Sequence, residues 1–144
     1  MGEPHVVSLR ATRDTDLDTL NRITPGDDAL IGTDAPSGTD ADADRRTIRA
    51  DGEIVGQVAR WLDRGDAFVA CRVDGTRRDD GIAGRALRLY LEVLDERPVR
   101  TRVAPDDDAC IRVLERLGFE PDSGRPGGTT ATGAPVDELV FLLA

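Results

Sequence analysis

Arg78-Asp79-Asp80-Gly81-Ile82-Ala83-Gly84 runs directly into Arg85-Ala86-Leu87-Arg88-Leu89-Tyr90-Leu91, and the fold turns on this stretch. Upstream, Asp66 to Val73 reads as a β-strand rich in small and β-branched residues. Downstream, Leu87, Tyr90, Leu91 and Leu94 recur at helical spacing, which predicts an amphipathic helix from Gly84 to about Glu96. The small residues therefore fall at a strand-to-helix junction. A helix N-terminus leaves backbone N–H groups without partners, and its dipole is positive there. Together these make an anion site suited to a pyrophosphate. Glycine and alanine at that point allow close approach of a ligand to the main chain.

Working outward, Val6 to Ala11 predicts a first strand with Val7 and Leu9 on one face. Thr15 or Asp16 is placed to cap a helix carrying Leu17, Leu20 and Ile23, which Pro25-Gly26 ends. Asp27 to Asp44 has little periodicity and reads as an acidic loop. Asp51-Gly52 between Arg46–Ala50 and Glu53–Trp61 is a hairpin signal. Val99 to Ala104 predicts a strand after the long helix. The next helix begins among Asp106, Asp107 and Asp108, buries Cys110, Val113, Leu114 and Leu117, and is capped by Gly118. Ser123 to Pro135 is a second irregular segment, and Val136 to Leu143 predicts a last strand. The predicted order is βα, βββ, α, β, α, ββ.

A chain of 144 residues fits one domain with a real core. Its net charge of -9 argues against nucleic acid and anionic membranes as partners. All the cationic side chains are arginine. No apolar run approaches a membrane span, and Met1 to His5 carries neither a basic region nor an apolar stretch, so no secretory signal is expected. Two cysteines, Cys71 and Cys110, match no zinc or redox spacing, and His5 is the one histidine. No metal site and a cytoplasmic location are the expectations.

Three stretches now stand in order. One is Asp51-Gly52-Glu53-Ile54-Val55-Gly56. The second is the Arg78, Gly81, Ala83 pattern. The third is Ala104-Pro105-Asp106-Asp107-Asp108-Ala109-Cys110-Ile111-Arg112-Val113-Leu114-Glu115-Arg116-Leu117-Gly118-Phe119. Together they resemble the GNAT acetyltransferase superfamily, and most nearly its ribosomal-protein-alanine acetyltransferase-like branch. The resemblance covers Val7 to Leu143. It implies an α/β fold: a GNAT-like single domain over residues 1–144, with a mixed, largely antiparallel sheet, helices on both faces and a splayed central strand pair. It implies acetyl-CoA as cosubstrate, with Cys71, Arg72 and Val73 beside the pantetheine arm. Arg78, Asp79, Asp80, Gly81, Ile82, Ala83 and Gly84 would lie at the pyrophosphate, and Asp107 also falls at the cofactor site.

The same resemblance exposes departures. Asp79 and Asp80 stand where many relatives carry Gly and Arg or Lys. Phe68 takes the place of an early acidic residue on the cofactor strand. Leu114 aligns with the tyrosine that many relatives use as general acid. Cys110 stands where the branch has serine, and Asp107 where it has asparagine. Cys110 is thus the candidate proton donor, although its place on an apolar helix face suits packing as well. The implied activity is acetyl transfer to the amine of a small molecule or a protein N-terminus, by a monomer or homodimer. The alternative is a degenerate relative that binds acyl-CoA as a sensor or serves as an interaction module.

Overall fold

The computed structural model describes residues 6–23, 43–63, 65–74, 81–103, 108–122 and 139–144. The strands are β1 (Val7–Ala11), β2 (Asp44–Ala50), β3 (Glu53–Asp63), β4 (Asp66–Val73), β5 (Val99–Val103), β6 (Glu120–Pro121) and β7 (Leu139–Leu143). The helices are α1 (Asp14–Ile23), α2 (Ile82–Val93) and α3 (Asp108–Arg116). The strands form one seven-stranded sheet in the order β1-β2-β3-β4-β5-β7-β6. Every pairing is antiparallel except β4 with β5. The element order and the mixed, largely antiparallel sheet are those expected.

One face of the sheet carries the main core. Ile48, Val58, Val69, Cys71 and Val99 pack there against Ile82, Leu87 and Tyr90 of α2 and Leu114 of α3. The other face holds a smaller cluster of Ala59, Trp61, Phe68 and Ala70. Helix α1 lies on that second face, where its Asp16 carboxylate accepts from the Thr47 hydroxyl of β2 at 3.0 Å. Helices therefore cover both faces. No helix among the described residues is long and apolar enough to cross a membrane.

Local chemistry explains most boundaries. Asp51 and Gly52 both have positive φ, 50° and 92°, the geometry a tight two-residue hairpin requires. Gly118 has φ 97° and ends α3. The Phe119 N–H bonds the Leu114 carbonyl at 3.0 Å and the Gly118 N–H bonds the Glu115 carbonyl at 3.1 Å. This pair of bonds satisfies carbonyls that the helix end would strand.

Five expectations need correction. Helix α2 begins at Ile82, two residues before Gly84, because Gly81 adopts a left-handed conformation and is itself the cap. It ends at Val93, because Leu94 turns extended while its N–H still bonds Tyr90. Asp16 is no N-cap. It sits in the first turn of α1 and reaches back to the Arg13 N–H at 2.9 Å, as the third helical residue of a capping box does. Leu17 faces out at 38% exposure, so Leu20 alone of its helix is a buried apolar residue. Val113 on α3 and Leu117 just beyond its end are half-buried, leaving Cys110 and Leu114 as the helix's buried residues.

Candidate functional site

The sheet is split at its centre. Strands β4 and β5 share only the pairs Ala67↔Val99 and Phe68↔Arg100. Beyond them β4 stays with β3 as far as Gly56↔Val73. Strand β5 stays with β7 as far as Val103↔Leu139. The two strands run parallel, so the gap widens toward their C-terminal ends. Helix α2 follows β4 and α3 follows β5, so both helices begin at the open end.

Contacts fix α2 and α3 beside the gap. The Cys71 thiol lies 3.9 Å from the Ala83 carbonyl, tying the last turns of β4 to the first turn of α2. A Cβ added at Gly84 would meet Val113 of α3 at 3.4 Å. Gly84 thus allows α2 to pack closely on α3. Ile82 and Ala83 bury their side chains in the core. What this turn offers a ligand is therefore main chain. Gly81 has φ 71° and makes no side-chain cap bond. The N–H groups of the first turn have no acceptor within the helix.

The backbone of β4 is aimed as well. A strand turns successive residues' N–H and C=O groups to opposite edges. The Val69 carbonyl points toward β5, where it accepts from the Thr101 hydroxyl at 2.9 Å. By alternation Cys71 and Val73 also turn their backbone into the gap. Arg72 turns the other way: its carbonyl would lie 2.1 Å from a Cβ at Gly56. Gly56 is needed there because no side chain fits beneath that carbonyl. The Asp74 N–H bonds the Val55 carbonyl at 2.7 Å, holding the end of β4 against the bulge of β3.

Of the residues singled out in the sequence, Cys71, Val73, Gly81, Ile82, Ala83 and Gly84 gather at the open end of the split. Arg72 lies on the same strand with its carbonyl on the β3 side. Arg78, Asp79, Asp80 and Asp107 lie outside the described residues. Cys110 is buried on α3 within the main core. Burial pushes the Cys71 thiol well up from its usual range, and the neighbouring Cys110 adds to the effect. Neither cysteine is in a disulfide.

Sequence reading passed over Thr101, Gly56 and Arg102. Thr101 left a visible trace, as the one hydroxyl on the buried side of Val99-Arg100-Thr101-Arg102-Val103. Gly56 left none, since its need arises from a strand distant in sequence. The Arg102 guanidinium lies 3.9 Å from the Phe68 ring centroid and pairs with Asp63. Trp61 stacks on the same ring at 6.3 Å.

No family model and no curated protein matches the chain. Solved structures do. The Escherichia coli ribosomal-protein-S18-alanine N-acetyltransferase superposes with a TM-score of 0.70 at 18% identity, over 96% of this chain and 93% of that one. Mycobacterium smegmatis RimJ, in complex with CoA-disulfide, gives 0.72 at 22% identity, over 96% and 81%. A chimera of spermidine N-acetyltransferase SpeG from Vibrio cholerae and hSSAT gives 0.74 at 14%, over 95% and 94%. The chain has the GNAT fold. Its likeness is spread over several GNAT acetyltransferases, so the ribosomal-protein-alanine branch is one of several that it is similar to.

Two departures from the GNAT pattern now have surroundings. Phe68 is fully buried between Trp61 and Arg102. Leu114 is fully buried in the main core. Neither position offers an ionisable group.

Proposed function

We propose that this protein is an acetyl-CoA-dependent N-acetyltransferase. The observation that carries the reading is the split between β4 and β5, opening where α2 and α3 begin. The split fits a narrow, extended arm that ends in a thioester, and the glycine-capped turn of α2 fits the pyrophosphate. Cys71 and Val73 would bond the arm through their backbone. The N–H groups from Gly81 to Gly84 would hold the phosphates, with Arg78 alongside. Bound there, acetyl-CoA supplies an activated acyl group.

The chain's own contribution is mostly position and polarisation. A backbone N–H of β4 near Val73 would stabilise the negative charge that grows on the carbonyl oxygen as an amine attacks. Orienting the two reactants removes much of the entropic barrier. The amine would belong to a small molecule or to a protein N-terminus, the kinds of acceptor that the names of the solved neighbours describe. As the C–S bond breaks, a water molecule would relay the amine's proton toward the departing CoA thiolate.

The burial of Phe68 and Leu114 favours a second reading, an acyl-CoA-binding protein without turnover. Calorimetry with acetyl-CoA, followed by thiol release with a panel of amines, separates the two. Binding with release of CoA supports the transferase. Binding with no release from any amine supports the sensor. No binding overturns both.

A further inference from the structure

The two halves of the sheet meet at a short seam. Strand β4 is laddered to β3 along its whole length, from Asp63↔Asp66 to Gly56↔Val73. Strand β5 is laddered to β7 along its whole length, from Val99↔Leu143 to Val103↔Leu139. Only Ala67↔Val99 and Phe68↔Arg100 join the halves through paired backbone. The next pair in that register is Val69 with Thr101, and there the ladder stops. The Val69 carbonyl is nevertheless satisfied, because the Thr101 hydroxyl donates to it at 2.9 Å. Both residues are fully buried.

This bond replaces one that a continuous sheet would make with a β5 N–H. A backbone bond would hold the strands at about 4.8 Å. A side-chain hydroxyl reaches across a wider gap and still leaves no buried carbonyl without a partner. Threonine suits the place, since its branched side chain is stiff about χ1 and keeps the hydroxyl aimed. Thr101 is therefore both a tie and a spacer at the vertex.

We infer that Thr101 is a positioning residue that sets where the split begins, and with it the depth of the slot for the acyl-bearing arm of acetyl-CoA. The inference rests on the cofactor reading above. Without the hydroxyl, the Val69 carbonyl finds a partner only if β5 closes onto β4 or water enters the vertex. Either change moves the main-chain groups that line the slot.

The test is calorimetry with acetyl-CoA on the wild type, Thr101→Val, Thr101→Ser and Tyr90→Phe. Tyr90→Phe is the control. It deletes a different hydrogen bond, the part-buried one from the Tyr90 hydroxyl to Asp44 at 2.6 Å, in the last turn of α2. Thr101→Val should weaken binding by about tenfold. Thr101→Ser should restore most of it, and Tyr90→Phe should leave it unchanged. If Thr101→Val does not fold, Thr101→Cys, a weaker donor of similar size, is read in its place. Wild-type affinity in the donor-deficient variant overturns the inference, as does an equal loss in Tyr90→Phe or no recovery with serine. A wild type that binds no acetyl-CoA overturns the cofactor reading first, and the role of Thr101 with it.

Discussion

At the scale of single residues, Asp16 is the clearest case of a charge held by design of its surroundings. It is 2% exposed. Arg10 donates to its two carboxylate oxygens at 2.5 and 2.8 Å, the Arg13 N–H at 2.9 Å and the Thr47 hydroxyl at 3.0 Å. The Arg10 hydrogen bond, against the cost of burial, holds the carboxyl well below the usual carboxylate range. Its folded pKa is depressed, so its stabilising effect is complete above the unfolded value of about 4 and fades as pH falls through the folded one. Asp16→Asn should lower the urea midpoint at pH 7, and the gap to wild type should hold down to about pH 4 and narrow below it. A gap that stays constant with pH would show that the effect is steric. The cysteines give a second prediction. Burial keeps both thiols unreactive, so a maleimide should label neither in the folded protein and both in denaturant. Cys110→Ala should keep any acetyl transfer within about tenfold of wild type, and a loss of a hundredfold, about 2.7 kcal/mol of barrier, with binding intact would make Cys110 the general acid. The buried state of Cys71 was legible from its apolar strand. The bonds of Asp16 were not, because Arg10 and Thr47 reach it on α1 from strands β1 and β2.

At the scale of elements, legibility followed the range of the forces involved. The β2–β3 hairpin and the end of α3 are set by Asp51-Gly52 and Gly118, whose conformations depend on immediate neighbours. Both were readable. The start of α2 was read two residues late, because periodicity shows where apolar residues begin to recur and not which glycine turns left-handed. The vertex of the split was unreadable in detail, since it depends on how two strands about 30 residues apart stop pairing, although the resemblance implied that a pair would splay. Gly56 offers the sharpest test at this scale. A methyl group there would meet the Arg72 carbonyl at 2.1 Å, so β3 and β4 must move apart. Gly56→Ala should cost about 1–3 kcal/mol in urea unfolding and weaken acetyl-CoA binding, because it displaces the end of β4. Gly118→Ala, with φ 97°, should cost about 1 kcal/mol and leave binding unchanged. Equal effects on binding would show that β4 is not specially placed.

At the scale of the whole molecule, the seam has a thermodynamic consequence. Cooperative unfolding requires that losing one part of a structure removes the support of the rest. The β1–β4 half and the β5–β7–β6 half share two backbone pairs, the Thr101–Val69 bond, side-chain contacts of Arg100 with Asp66 and of Arg102 with Asp63 and Phe68, and the core under α2 and α3. Backbone pairing therefore transmits little across the centre of the sheet, and the halves should melt as less tightly coupled units than an unbroken ladder would give. A ligand lying between β4 and β5 would bond to one half and bury against the other, in the place a missing strand would fill. Its binding energy then acts as the coupling itself. Differential scanning calorimetry should show a broad transition for the free protein, with a van't Hoff enthalpy below the calorimetric one. At a hundredfold excess over its dissociation constant, bound acetyl-CoA would add about 2.7 kcal/mol of stability, and the two enthalpies should converge as the peak sharpens. A peak that shifts without sharpening would mean that the halves were already one folding unit. Sharpening would make acetyl-CoA, for this protein, a structural part that is replaced at every encounter.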